Sequence, residues 1–207
     1  MVVPPALGYD FSMCPVHETF FDSQGSVFSV PTSRWEEFRD LFEISDLRSM
    51  SRASVVLRGL VDRQKLTLPP MKLDPFKMGI YVLGEENDDA DFDPKEEFAI
   101  GEPEGIDAWR KIPAKSALGR TISMSAAQIG ISTGARGPVI GADFNAAGME
   151  FVLDEIAADF ETHVIESFYL GGFVGSRCEA AYLAFGNIWD DTVRTRLERN
   201  LSRMLKR

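Results

Sequence analysis

Histidine and cysteine are scarce in this chain. Its 207 residues hold two of each: His17 and His163, Cys14 and Cys178. Two cysteines are too few for a disulfide framework, which favours a reducing compartment. Positive charge is also short. Twenty-two Lys and Arg stand against 32 Asp and Glu, a net charge of −10. That balance argues against general nucleic-acid binding, which needs a basic footprint, and it suits plain solubility. No apolar run is long enough for a membrane span. The N-terminus lacks the basic start and apolar core of a signal peptide. A cytoplasmic location is the expectation by default.

The familiar catalytic motifs are missing as well. There is no Walker A loop, no GxSxG elbow and no His-Glu-x-x-His helix. Gly171-Gly172-Phe173-Val174-Gly175 is glycine-rich, but no phosphate fingerprint follows it. Asp89, Asp91 and Asp93 alternate within the acidic stretch 85–97. An EF-hand would need Gly where Pro94 stands and Glu where Ile100 stands, so a solvated loop is expected there. No cofactor and no metal site is expected.

What is present suits one domain over residues 1–207, with 44% hydrophobic residues to build a core. The stretch from Gly134 to Gly172 organises it. Gly134, Gly137 and Pro138 make a turn. Val139 and Ile140 begin a short strand. Asn145 is placed to cap a helix, along which Met149, Val152, Leu153, Ile156 and Phe160 recur at helical spacing. Val164 to Leu170 reads as a second strand, closed by Gly171-Gly172. Strand, turn, helix and strand make a βαβ unit, the element of parallel or mixed sheets.

Other segments are read from the same signals. A first strand is expected near Ala6–Met13, with Gly25–Val30 as the alternative. A short helix is expected within residues 31–49. Ser51 to Val61 is a helix whose Ala53, Val56, Leu57, Leu60 and Val61 form one stripe. Met78 to Gly84 is a buried strand after Asp74-Pro75. Residues 98–115 read as loop. Ser123 to Ile131 is a buried helix. Residues 173–186 read as a short strand or a loop, with Cys178 a plain thiol. Trp189 to Lys206 is an amphipathic helix, with acids at its start and bases at its end. Its Arg194, Arg196 and Arg199 either serve its own domain or dock an acidic partner. His17 reads as a surface or hydrogen-bonded residue, and His163 as the start of a strand.

Residues 50–172 resemble the N-terminal domain of β-ketoacyl synthases, members of the thiolase-like superfamily. The likeness is carried by Met50-Ser51-Arg52, by the strand Met78–Gly84, by the Gly137-Pro138 turn into a strand, by Asn145-Ala146-Ala147-Gly148 and by Gly171-Gly172. It implies an α/β, thiolase-like half-fold, a mixed sheet of about five strands flanked by helices. It puts Asn145 where the family has its nucleophilic Cys. An amide is a poor nucleophile, whereas a Cys at a helix N-terminus is activated. The family's second half, with its two histidines, is not in this chain. Ser125, Ala126 and Ile129 would lie by the subunit interface and acyl tunnel, or else in a plain core helix. Ile140 and Gly141 would lie near a two-fold axis.

The implied function is non-catalytic: an interaction or acyl-binding subunit, chain-length-factor-like, in fatty-acid or polyketide metabolism. The implied partners are a full-length ketosynthase or an acyl carrier protein, in a homo- or heterodimer. The alternatives are an acyl-transferring or condensing enzyme whose site a partner chain completes, an enzyme using Cys178, or a thiolase-like fold reused for unrelated binding.

Overall fold

A computed structural model describes residues 16–22, 51–65, 68, 73–85, 121–174, 178 and 180–206. The chain is α/β. Among the described residues it runs β1 (Val16–Asp22), α1 (Arg52–Lys65), β2 (Met78–Gly84), α2 (Ile122–Thr133), β3 (Val139–Asp143), α3 (Ala146–Glu161), β4 (Ser167–Val174), β5 (Ala180–Gly186) and α4 (Asp191–Leu205). The strands form one mixed sheet in the order β1-β5-β4-β2-β3. β2 is parallel to both β3 and β4. β5 is antiparallel to both β4 and β1.

Two cores follow from the pleat, since successive side chains of a strand face opposite ways. Tyr81, Leu83, Phe168, Leu170 and Tyr182 face α3 and α4, where Val152, Leu153, Ile156, Leu197 and Leu201 meet them. Ile80, Val82, Tyr169, Phe173 and Leu183 face α1 and α2, where Leu57, Leu60, Val61 and Ile129 meet them. β2, β4 and β5 are therefore buried on both sides, which explains their continuous apolar runs. The expected stripe of α1 is buried in full.

Polar anchors hold the layers in register. Ser51 caps α1 by accepting from the Ser54 N–H at 3.1 Å. The hydroxyls of Ser51, Ser54 and Ser125 then form a buried chain, each step 2.9 Å, that ties α1 to α2. The Tyr81 hydroxyl donates to Asp159 at 2.5 Å, joining β2 to α3. On the outer strand, Glu18 accepts from Tyr182 at 2.8 Å and from Asn200 at 3.0 Å, tying β1 to α4. Burial is the first cause that raises the Tyr81 and Tyr182 hydroxyl pKa values, followed by these carboxylates.

Several expectations need correction. β1 spans Val16–Asp22, between the two positions expected for a first strand. The strand expected near Ala6–Met13, its alternative at Gly25–Val30 and the helix within 31–49 lie outside the described residues, as do residues 86–97 of the acidic stretch and residues 98–115. α1 continues past Val61 to Lys65, because Gln64 is buried and donates to the His17 carbonyl at 2.9 Å. Gly171 and Gly172 do not close β4 but sit inside it, paired with Leu183 and Tyr182. A Cβ on Gly171 would meet Ile129 at 3.1 Å, and one on Gly172 would meet Leu201 at 3.4 Å. Bare backbone is what lets both helix layers close on this strand. His163 does not begin a strand. It is an exposed residue at φ 58° in the turn after α3. Of the short strand or loop expected in 173–186, the strand is present, as β5. α4 begins at Asp191, capped by Asp190, while Trp189 packs against Phe160 and Phe168.

Candidate functional site

β3 delivers the site. Its last residue, Asp143, is followed by Phe144, which is buried in the α3-side core and pins the turn. The Phe144 N–H donates to the Gly84 carbonyl at 2.9 Å, continuing the β2–β3 pairing by one step. Asn145 then leaves the sheet in extended conformation and caps α3. Its Oδ1 accepts from the Gly148 N–H at 2.8 Å, and its carbonyl accepts from the Met149 N–H at 2.9 Å. The side chain is exposed and keeps its amide nitrogen for solvent or a ligand.

A second helix starts beside it. Thr121 caps α2 by accepting from the Met124 N–H at 3.2 Å. The N-termini of α2 and α3 flank one cavity of about 730 Å³ at the carboxyl end of β3. Its lining includes Ile122, Ser123, Gly141, Asn145, Gly148 and Phe151. Open α/β sheets receive ligands outside the carboxyl ends of their strands, and this cavity lies outside that end of β3. The free N–H groups of two helix starts favour a carbonyl oxygen or partial negative charge. Asp143 also lines the cavity, which opposes a full anion. Phe151, 47% exposed, supplies an apolar wall.

The residues expected at a site divide into three groups. Asn145 and Gly141 line this cavity. Gly141 packs against Ile122, whose Cγ2 would lie 2.8 Å from an added Cβ. Ile140 is half-buried and points to the α3-side core. Ser125, Ala126 and Ile129 are buried between α2 and its neighbours, with Ser125 bonded to Ser54. Their place is the core of the α1–α2 layer, and none of them lines the cavity.

Neither of the two histidines stands beside Asn145. His163 lies beyond the far end of α3, whose 16 residues span roughly 24 Å. His17 lies on β1, the opposite edge of the sheet from β3, roughly 19 Å away by strand spacing. His17 is hydrogen-bonded to Gln64 at 3.1 Å, and burial lowers its pKa below 6.5. Cys178 is 1% exposed and its thiol points to the Ala180 carbonyl, so the alternative nucleophile is shielded. Among the described residues no three His, Cys, Asp or Glu side chains group to hold a metal, and no helix is long and apolar enough to cross a membrane. The cavity and the α2 cap at Thr121 escaped the sequence reading. The Thr121-Ile122-Ser123 start of a helix was the available signal.

No protein-family model matches this chain, and no curated protein matches it.

Proposed function

We propose that this chain is a non-catalytic, β-ketoacyl-synthase-like protein with a thiolase-like half-fold. It acts as an interaction or acyl-binding subunit in fatty-acid or polyketide metabolism, in the manner of a chain-length factor. The observation that carries this is the position of Asn145: at a strand-to-helix turn, capping α3, at the mouth of a cavity. A cysteine there would have the helix N-terminus to lower its pKa. The amide instead spends its oxygen on the Gly148 N–H, and its nitrogen pair is delocalised into the carbonyl, so it is a poor nucleophile towards a thioester.

Two further observations support the proposal. β3 is an edge strand, with one side paired to β2 and the other side open among the described residues. An edge strand is suited to pairing with another chain, as the resemblance implies for this strand. The two helix N-termini and Phe151 also give the cavity polar donors beside an apolar wall, which suits an acyl thioester.

The test is turnover. Purified chain is incubated with radiolabelled malonyl-carrier protein and an acyl donor, beside a buffer control. Neither decarboxylation nor condensation is expected from the wild type or from Asn145→Cys, because neither histidine lies near the turn. Turnover above the control by the wild type would overturn the proposal.

A further inference from the structure

The bases of α4 divide into two sets. Arg194 pairs with Asp154 at 2.6 Å and with Glu198 at 2.9 Å, on the flank that meets α3. Arg196 stands 3.7 Å from Glu18, on the flank that meets β1. Both serve the fold. Arg199, Arg203 and Lys206 are exposed, and among the described residues they make no hydrogen bond or ion pair. Their spacing of i, i+4 and i+7 puts them on one face, opposite the buried Val193, Leu197, Leu201 and Met204. The other outward residues, Thr192 and Thr195, are neutral.

Neither composition nor the helix dipole accounts for this face. The chain holds 32 acids against 22 bases, so an exposed face with three bases and no acid runs against its average. The dipole favours bases in the last turn alone, which covers Arg203 and Lys206 but not Arg199. An exposed aromatic ring lies alongside. Trp189, just ahead of α4, packs on Phe168, and Leu201 stands over Gly172, so α4 runs in the direction of β4. β1 runs the same way, since β5 is antiparallel to both. Glu18 of β1 meets Asn200. Phe20 follows on the same side of the sheet roughly 6.6 Å further on, and Arg203 follows Asn200 by roughly 4.5 Å. Phe20, 43% exposed, therefore lies beside the turn that carries Arg203.

The spacing of the charges selects the occupant. Three cations spread over roughly 10 Å match carboxylates repeated every three or four residues on a facing helix. A long polyanion or an anionic lipid surface would extend beyond them, over Asp190 and Asp191 at the start of α4, in a chain of net charge −10 that repels it. Phe20 adds a place for an apolar side chain among those carboxylates.

We propose that the outer face of α4 and Phe20 form a docking surface for an acidic amphipathic helix of another protein. Its carboxylates face Arg199, Arg203 and Lys206, and an apolar residue covers Phe20. Both elements lie outside residues 50–172, so the surface does not depend on the ketosynthase-like reading.

Fluorescence anisotropy of the full chain tests it. The probe is a labelled alanine-based peptide of about 18 residues, long enough to be helical, with Glu at every third or fourth position and leucines beside them. Companion probes are the same peptide with Gln for Glu and a single-stranded oligodeoxynucleotide. Saturable binding of the acidic peptide is expected, weakening as salt rises, with no binding of either companion. Arg199→Glu with Arg203→Glu should weaken it roughly tenfold or more, through like-charge contact. Arg199→Lys with Arg203→Lys should retain most of it, and Phe20→Ser should weaken it several-fold. These side chains are exposed, and circular dichroism checks that each variant folds. Absence of saturable binding, or binding untouched by the Glu pair or by Phe20→Ser, would overturn the proposal. Equal binding of the Gln peptide or of the oligodeoxynucleotide would do the same. So would binding that appears only after Asp89, Asp91 and Asp93 are changed to Asn, which would assign the surface to the chain's own acidic stretch.

Discussion

Gly148 stands against the backbone of Asp143. A Cβ on Gly148 would lie 2.0 Å from the Asp143 carbonyl oxygen, far inside contact distance. The first turn of α3 thus closes over the end of β3, and only a residue without a side chain fits between them. That contact fixes where Asn145 points and how the cavity mouth is shaped.

Gly148→Ala should therefore reverse the usual sign of a glycine replacement in a helix. At an open helical position the change gains about 1 kcal/mol. Here the methyl group meets backbone, and the loss should be about 3 kcal/mol, as for other overpacked sites. Urea denaturation of both proteins reads the difference. A midpoint equal to or above the wild type would show that Gly148 and the Asp143 carbonyl do not meet this closely.

Asn145→Ala should cost about 1 kcal/mol, the usual loss of a helix cap. Asn145→Ser, which keeps an acceptor oxygen for the Gly148 N–H, should recover most of it. If the alanine and serine variants melt together, the side chain does not cap α3.

His17 gives a pH dependence with a defined sign. Burial lowers its folded pKa below the ordinary 6.5. The unfolded chain then binds more protons between the two values, so stability is full above about pH 6.5 and falls as pH drops through that window. His17→Gln should flatten this part of a plot of thermal midpoint against pH. A wild-type midpoint that rises as pH falls from 7 to 6 would contradict the assignment.

Much of the fold could be read from residue order because local signals and burial agreed. The β2 boundaries follow from seven consecutive buried residues, and the Asn145 cap follows from side-chain chemistry. β1 was hidden by Glu18. A carboxylate facing the sheet breaks the apolar alternation, and its partners Tyr182 and Asn200 are more than 160 residues away in sequence. Gly171 and Gly172 read as a stop because their reason for being there, the close approach of Leu57, Ile129 and Leu201, is tertiary. The turn at Asn145 was visible as a site, but the cavity was not. Its second wall comes from Thr121, Ile122 and Ser123 on another helix, and no spacing rule connects them to Asn145.

The proposed pairing of β3 with another chain is open to direct measurement. Val139 is 52% exposed, whereas Ile140 packs inward, so Val139→Asp probes the edge without emptying the core. Light scattering is run on the wild type alone, on the wild type mixed with a full-length β-ketoacyl synthase from the same cell, and on Val139→Asp under both conditions. A two-chain mass is expected for the wild type, with itself or with the synthase, and a monomer for Val139→Asp. A wild type that stays monomeric at high concentration and forms no complex with the synthase would contradict it.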